Sequence, residues 1–193
     1  GFGGILADEM GLGKSVQLIA LLLSRYQRNT GEMGNGSLGP SLIVCPASLV
    51  YNWGAEFTKF APSFNAVVVA GTKAERRTAI GRAFRADEPT VLITSYDLLR
   101  RDVDDYTANE QRFNVMALDE AQYIKNHTTK IAKAVKAVAA DHRFALTGTP
   151  IENRLSELWS IFDFLMPGLL GSYKRFHERY ELPISNARAA DGS

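Results

Sequence analysis

Short, fully apolar runs alternate along this chain with longer segments whose apolar residues recur at helical spacing. Strands that are apolar at every position are typical of a parallel sheet covered by helices on both faces. We therefore predict an α/β fold with a mostly parallel sheet and helices on both faces. The predicted strands are residues 4–7, 41–46, 65–70, 90–94, 114–118 and 143–146.

Polar residues, glycine and proline separate these strands from the predicted helices. The helices cover residues 15–28, 48–60, 73–85, 129–140, 156–166 and 172–180, and a short one starts after Ser95 or Asp97. Ser48 and Thr72 precede two of them and are expected to cap their N-termini. Residues 102–111 are polar and predict a loop with one helical turn.

Composition and charge restrict the classes of function. The chain has 193 residues, 46% hydrophobic and 22% charged, which suits one domain with a sizeable core. The formal net charge is +1, so nucleic acid would have to be bound by local patches. No apolar stretch approaches the ~20 residues of a membrane span, and we expect no membrane partner. The lone Cys45 fits a reducing compartment and is interpreted as a core residue, not a nucleophile.

The stretch from Asp8 to Ser15, DEMGLGKS, lies between the first predicted strand and the first predicted helix. This order of strand, glycine loop and helix is the context that a phosphate-binding loop requires. Glycines let backbone N–H groups turn towards phosphate oxygens, and the helix adds its positive N-terminal end. Lys14 can reach the β- and γ-phosphates, and the Ser15 hydroxyl can ligate Mg²⁺. The predicted nucleotide-binding residues are Gly11, Leu12, Gly13, Lys14, Ser15 and Val16.

The general pattern for such loops has Gly at the position of Asp8, so this match is incomplete. The alternative interpretation is an ordinary glycine turn beside a solvated lysine. The flanking strand and helix favour the phosphate loop.

A pair of acids, Asp119 and Glu120, directly follows the predicted strand 114–118. A carboxylate at this position can hold Mg²⁺, directly or through water, and its neighbour can orient or activate the attacking water. The alternative is a pair of helix N-terminal charges, which is common after strands. With the phosphate loop upstream, we favour Lys14, Asp119 and Glu120 as catalytic residues.

The loops that carry candidate chemistry all follow predicted strands. They are residues 8–15, 46–48, 94–96, 119–122 and 147–150. Because the carboxyl ends of parallel strands meet at one edge of a sheet, and ligands bind there, we expect one site at that edge.

Five stretches occur in an order that carries a family resemblance: DEMGLGKS, LIVCPASLVYNW, VLITSYDLL, LDEAQYIKN and LTGTPIENRLSELWSIFDFL. Together they resemble the first RecA-like lobe of a Swi/Snf-type ATPase, from the chromatin-remodeller and DNA-translocase family of helicase superfamily 2. The resemblance covers residue 1 to about residue 184, and Asp8 conforms to this family's pattern. Ser15 stands where Thr is commoner, and Gln122 stands where many members have His, a variant more typical of bacterial members.

The resemblance implies a RecA-like P-loop NTPase domain that uses ATP and Mg²⁺. It assigns the phosphates to residues 11–15, Mg²⁺ to Ser15 with Asp119, and the hydrolytic water to Glu120. The residues implied to couple the nucleotide state to a second lobe are Gln122, Thr147, Gly148 and Thr149. The residues that match DNA-contacting segments of the family are Ser48, Thr94, Ser95, Tyr96, Lys125 and Asn126. For the serines at 48 and 95, the alternative is ordinary helix capping.

The resemblance further implies the first motor lobe of an ATP-dependent double-stranded DNA translocase that remodels protein–DNA complexes. Because the chain starts without Met and almost inside a strand, we expect an excised, monomeric fragment. It would comprise the lobe at residues 1–184 and the start of a linker at 185–193, without the second RecA-like lobe, and would be catalytically incomplete. The alternatives are a strand-separating helicase and a nucleotide-dependent DNA-binding scaffold without turnover. We expect a cytoplasmic, nucleoid-associated protein in a bacterium, or a nuclear one in a eukaryote.

The lysines of the predicted helix 129–140 have two interpretations. Lys130, Lys133 and Lys136 recur every three residues, near one face of that helix, with no acid nearby in the helix. They are either a solvated face or a stripe that faces DNA.

Two other groups of side chains are assigned to the surface and the core. The arginines of the predicted helix 73–85 are interleaved with acids and are interpreted as solvated surface: Arg76, Arg77, Arg82 and Arg85. The aromatic residues expected to pack the helix 48–60 on the sheet are Tyr51, Trp53 and Phe57.

Overall fold

The computed structural model describes residues 3–7, 13–30, 38–148 and 155–184. Its strands are β1 (Gly4–Ala7), β2 (Ser41–Cys45), β3 (Asn65–Val68), β4 (Thr90–Ser95), β5 (Phe113–Leu118) and β6 (Ala140–Thr147). Its α-helices are α1 (Lys14–Thr30), α2 (Val50–Phe60), α3 (Lys73–Ala83), α4 (Tyr96–Arg101), α5 (Val103–Thr107), α6 (Lys130–Ala137), α7 (Leu155–Leu165) and α8 (Tyr173–Phe176). Three 3₁₀ turns occupy Ala47–Leu49, Ala108–Glu110 and Ala121–Ile124, and a π-helix, His177–Glu181, continues α8. Within the described ranges, no helix has the length and apolar content needed to cross a membrane.

The strands form one sheet in the order β1-β6-β5-β2-β4-β3, and every pairing is parallel. The predicted parallel sheet is therefore confirmed. Strands β2, β4 and β5 are buried at every residue because they lie inside the sheet. Strands β1 and β3 end the order and are only partly buried. The predicted alternation of strands and helices holds, with element ends moved by a few residues.

Each strand contributes to a separate core on each face of the sheet, because successive side chains point to opposite faces. In β2, Leu42 and Val44 pack with residues of α3, α4, α5, α6 and α7. The intervening Ile43 and Cys45 pack with α1 and α2. Helices α1 and α2 therefore cover one face, and the helices from α3 to α7 cover the other.

Cys45 is a core residue, as predicted. Its side chain is fully buried in the cluster beneath α1 and α2. Burial, with the nearby charge of Asp119, raises the pKa of the Cys45 thiol to about 12, so the nucleophilic thiolate does not form near neutral pH.

The helix caps agree with the sequence at two of three predicted positions. Thr72 forms a capping box with Glu75 at the start of α3, and the Ser95 hydroxyl accepts the Leu98 N–H at the start of α4. The predicted cap at Ser48 is wrong. Ser48 lies exposed inside a 3₁₀ turn, and α2 begins two residues later without a side-chain cap.

The interpretation of Arg76 as solvated surface is also wrong. Arg76 and Asp102 are 8% and 2% exposed, and they form a two-pronged ion pair with N–O distances of 2.5 and 2.8 Å. The Arg76 guanidinium also donates to the carbonyl oxygen of Gly71 at 2.6 Å. The segment 102–111, predicted as a loop with a helical turn, contains α5 and a 3₁₀ turn and is anchored to α3 by this pair.

We expect Arg76→Met to lower the free energy of unfolding of this chain by about 3–5 kcal/mol, because it leaves the Asp102 carboxylate buried without its counter-charge. Arg77→Met is the matched control. Arg77 is on the same helix, but its side chain is 77% exposed and lies 3.4 Å from Asp105, so its removal should cost about 0–1 kcal/mol. Urea unfolding measures both variants, and equal destabilisation of the two would contradict the assignment.

Candidate active site

The order of strands brings together the strand ends at which the predicted functional loops begin. Strand β6 lies between β1 and β5, and β2 lies on the other side of β5. The register pairs Ala7 with Thr147 and Leu118 with Ala145, so these strands end at the same edge of the sheet. The carboxyl ends of β1, β6 and β5 are consequently neighbours in space.

The start of α1 has the geometry of an anion-binding helix terminus. Gly13 has a φ of 70°, in the left-handed region that favours glycine, and its carbonyl oxygen accepts the Gln17 N–H at 3.0 Å. Lys14 and Ser15 follow in the first turn of a 17-residue helix, whose N–H groups and dipole favour an anion there. Of the predicted nucleotide-binding residues, Gly11 and Leu12 lie outside the described residues, as does Asp8.

A cleft of about 630 Å³ opens between the start of α1, helix α2 and the acids after β5. This volume is within the usual range for small-molecule sites. Its lining residues are Gly13, Lys14, Ser15, Val16, Asn52, Trp53, Ala55, Glu56, Lys59, Phe60, Asp119 and Glu120. The structure thus brings the described part of the predicted phosphate loop and both predicted acids to one cavity.

Asp119 is held from several directions. Its Oδ2 accepts the indole N–H of Trp53 at 2.9 Å, and its Oδ1 accepts the backbone N–H of Glu120 at 2.9 Å. Its backbone carbonyl accepts the hydroxyl of Tyr96 at 2.7 Å, and its backbone N–H donates to Val44 at 2.8 Å. Both the main chain and the carboxylate of Asp119 are therefore oriented by the fold.

The electrostatic surroundings of Asp119 favour a cation beside it. Burial raises the pKa of the Asp119 carboxyl above its ordinary value, and the charge of Glu120 acts in the same direction. The hydrogen bond from Trp53 and the charge of Lys14 oppose this rise. A positive ion at the carboxylate would offset the cost of burying its charge.

The oxygen ligands that the cleft offers suit Mg²⁺ better than a metal ion that needs three or more protein side chains as ligands. Within the described ranges, no group of three or more His, Cys, Asp or Glu side chains could hold a metal ion. Ser15 and Asp119 instead offer hard oxygen ligands on the same cleft. Mg²⁺ commonly takes one or two protein oxygens and completes its octahedron with water and substrate phosphates.

Glu120 has an unusual backbone conformation. With φ 54° and ψ 56° it lies in the left-handed region, which among the described non-glycine residues is shared only by Glu110. This conformation costs about 1–3 kcal/mol and persists where surrounding contacts enforce it. Glu120 Oε2 accepts the side-chain amide of Gln122 at 2.6 Å. The acid is therefore held in one orientation at the cleft.

Gln122 connects the end of β5 to the end of β6. Its Nε2 donates to Glu120, and its Oε1 accepts the hydroxyl of Thr147 at 3.1 Å. Gly148 follows Thr147 directly, whereas Thr149 lies outside the described residues. Of the predicted coupling residues, Gln122 and Thr147 are thus bonded in series to the predicted base.

Three of the residues predicted to contact DNA are buried in this lobe. Thr94, Ser95 and Tyr96 are 0%, 5% and 2% exposed, because β4 is an interior strand up to its last residue. Ser95 caps α4, and the ring of Tyr96 stacks on Tyr123 at 4.7 Å. In this lobe Ser95 caps a helix and Tyr96 holds the main chain of Asp119, and the contact of these three residues with DNA stays a prediction.

The other three residues predicted to contact DNA are exposed. Ser48 lies on the surface beside β2. Lys125 is 3.5 Å from the carboxylate of Glu157, and Asn126 accepts two hydrogen bonds from Thr128 within a turn. Their contact with DNA stays a prediction.

Lys136 departs from both interpretations of the lysine helix. Its ammonium group lies 3.0 Å from Asp163, donates to Ser160 at 3.2 Å and sits over the ring of Trp159 at 4.8 Å. Burial lowers the pKa of Lys136, and Asp163 opposes this. Lys136 thus joins α6 to α7, whereas Lys130 and Lys133 are exposed.

Sequence reasoning missed the role of Trp53 at the site. Trp53 and Phe57 are buried as predicted, whereas Tyr51 is 72% exposed, which contradicts its assignment to the core. A buried indole N–H requires a hydrogen-bond acceptor. A tryptophan predicted to be buried therefore predicts a polar contact in addition to core packing. The acceptor proves to be the carboxylate of Asp119.

The parallel sheet and the cleft at its carboxyl edge define a RecA-like lobe of the P-loop NTPase class. Residues 1–192 match the SNF2-related domain, and the chain belongs to this family. It is 46% identical to the TATA-binding protein-associated factor MOT1 of Saccharomyces cerevisiae, over 96% of this chain and 10% of MOT1. It is 42% identical to the putative ATP-dependent helicase/translocase YwqA of Bacillus subtilis, over 97% of this chain and 19% of YwqA.

The solved structures agree with the assignment of family and fold. The Sulfolobus solfataricus SWI2/SNF2 ATPase core in complex with double-stranded DNA matches with a TM-score of 0.80 and 42% identity. The match covers 96% of this chain and 36% of that core. This chain therefore spans about a third of that core and between a tenth and a fifth of the two relatives named above.

Proposed function

We propose that this chain is the first motor lobe of an ATP-dependent double-stranded DNA translocase that remodels protein–DNA complexes. The observation that carries the proposal is the hydrogen-bonded series from Thr147 through Gln122 to Glu120, which ends at the cleft. The helicase/translocase name of YwqA and the DNA-bound SWI2/SNF2 core support it. We assign residues 1–184 to the lobe and 185–193 to the start of a linker towards a second RecA-like lobe.

In this proposal, the start of α1 binds the phosphates of the nucleotide, and the acids after β5 act on Mg²⁺ and the attacking water. Residues 11–15 bind the phosphates, and Lys14 places its charge at the β- and γ-phosphates. Ser15 and Asp119 would hold Mg²⁺, which supplies positive charge against the charge that develops on the transferring phosphoryl group. Asp119 needs little rearrangement for this role because its carboxylate is already oriented.

Glu120 orients the attacking water and accepts its proton. One carboxylate oxygen is engaged by Gln122, which fixes the plane of the carboxylate. The enforced backbone conformation fixes its position relative to Asp119. A base held in this way loses little entropy when the water is aligned for attack.

Gln122 and Thr147 link this chemistry to movement. Thr147 is the last residue of β6, so a displacement of the segment after β6 would act on Gln122 and, through it, on Glu120. We propose that Gly148 and Thr149 carry this displacement to and from the second lobe. Double-stranded DNA would be tracked as the two lobes open and close around ATP.

Glu120→Gln in the full-length protein should preserve nucleotide binding and lower the rate of ATP hydrolysis at least ~10²-fold, because size is kept while the proton acceptor is removed. Lys14→Ala should weaken binding and abolish turnover together. Glu88→Gln, an exposed acid bonded to Asn65 far from the cleft, is the matched control and should keep the wild-type rate. Nucleotide binding and phosphate release are measured on all three. Wild-type hydrolysis by Glu120→Gln would refute the assignment of the base.

Replacing Lys130 and Lys133 together by Ala should lower DNA affinity and reduce the salt slope of binding by ~1 for each phosphate that a lysine no longer neutralises. Lys73→Ala, which removes an exposed lysine on α3, should leave the slope unchanged. Lys136→Ala should instead lower thermal stability, because it removes the ammonium group that pairs with Asp163. The slopes come from DNA titrations at several salt concentrations. An unchanged slope in the double variant would assign these lysines to a solvated face.

The isolated 193-residue chain should bind Mg²⁺–ATP weakly at most and hydrolyse almost none, with or without DNA. One side of its cleft is open to water, which weakens electrostatic stabilisation of the transition state, and an arginine finger supplied from elsewhere is typically worth ~10³–10⁵ in rate. Phosphate release is compared with that of a longer chain that includes the second lobe. Rapid, DNA-stimulated hydrolysis by the short chain would contradict the two-lobe site, and equal inactivity of both would favour a scaffold without turnover.

A further inference from the structure

Trp53 is bonded to the predicted metal ligand although its ring belongs to the core. Its side chain is 2% exposed and packs with Phe57, the ring centroids being 6.4 Å apart. Its Nε1 nevertheless reaches Asp119 Oδ2 at 2.9 Å, across 66 residues of sequence. The indole therefore joins helix α2 to the end of strand β5.

This hydrogen bond determines the plane of the Asp119 carboxylate. The backbone N–H of Glu120 holds Oδ1, and the Trp53 N–H holds Oδ2, so each oxygen has one donor. Each carboxylate oxygen has about two lone-pair sites, which leaves one on each oxygen for a further partner. Because Asp119 lines the cleft, that partner can come from the cleft. Without the indole, rotation of the carboxylate would be opposed only by the Glu120 N–H.

Packing alone does not account for a tryptophan at this position. Phe57, one helical turn later, fills the same core cluster without a polar atom. A buried N–H is costly unless it finds an acceptor, and here the acceptor is a partly desolvated carboxylate. The N–H of the ring thus has its hydrogen-bond partner in the candidate site, whereas the rest of the ring packs in the core.

We propose that Trp53 is a positioning residue for Asp119: its indole N–H holds the carboxylate in the orientation that meets Mg²⁺ with the nucleotide. That Mg²⁺ and a nucleotide bind beside Asp119 is part of the function proposed above, on which this inference rests. Trp53 should therefore contribute to the gain in nucleotide affinity that Mg²⁺ provides, and not to the binding of nucleotide without Mg²⁺. Groups that orient a metal ligand typically contribute ~10–100-fold to metal affinity.

The test compares ADP binding by the full-length protein with and without Mg²⁺ for two matched variants. Trp53→Phe keeps an aromatic ring but removes the N–H, and should reduce the Mg²⁺-dependent gain in affinity about tenfold while leaving Mg²⁺-free affinity unchanged. Trp159→Phe removes the chain's other indole, which donates to the carbonyl of Gly171 at 3.3 Å, and should change neither value. Equilibrium dialysis with EDTA or excess Mg²⁺ supplies both affinities.

A second measurement leaves Trp53 in place, in case Trp53→Phe folds poorly. The 193-residue chain has two tryptophans and so two indole N–H resonances. Addition of Mg²⁺ and ADP should shift the resonance of Trp53 and leave that of Trp159 in place.

The outcomes separate this inference from the function on which it rests. A fall in ADP affinity in Trp53→Phe to the same extent with and without Mg²⁺ would show a merely structural role and overturn the inference. A full Mg²⁺-dependent gain in that variant, or a Trp53 resonance that stays in place while backbone amides of α1 shift, would also overturn it. Failure of the unaltered full-length protein to bind ADP at all would refute the proposed function, and the inference with it.

Discussion

The burial of one carboxylate at the end of an interior strand is the constraint on which this site depends. Burial disfavours the charged form of Asp119 and raises the pKa of its carboxyl, so hydrogen-bond donors and nearby positive charge stabilise the carboxylate. Trp53, from the core beneath α1 and α2, donates to the carboxylate, and Tyr96, from the core on the opposite face, donates to the main-chain carbonyl of the same residue. The two cores therefore meet at Asp119, and packing on either face affects the geometry of this predicted metal ligand.

The sheet and the place of the site could be predicted from sequence because both follow from local pattern. A strand buried on both faces must be apolar throughout, so β2, β4 and β5 are visible as runs. Polar residues that interrupt such runs must lie at strand ends, and parallel strands bring those ends to one edge. Asp119 and Lys14 could thus be assigned to one cleft from their positions after strands, without knowledge of the strand order.

Partners across long sequence distances could not be predicted in the same way. Arg76 and Arg77 look equivalent among interleaved charges, yet only Arg76 is buried against Asp102. Lys136 shares the spacing of its neighbours on α6 but meets Asp163 on α7. Periodicity reports the face on which a side chain lies, and it carries no information on which element covers that face. The burial of Tyr96 and the hydrogen bond from Trp53 to Asp119 could not be predicted for the same reason.

The proposed coupling follows from a near balance of energies at Glu120. Its left-handed backbone costs about 1–3 kcal/mol. A hydrogen bond to a charged group, such as the one from Gln122, contributes about 1.5–3 kcal/mol. Since the two quantities are similar, the observed orientation of the acid depends on the contacts of Gln122, including the one from Thr147 at the end of β6. In the proposed coupling, a small shift of that strand end would release or align the predicted base without a rearrangement of either core.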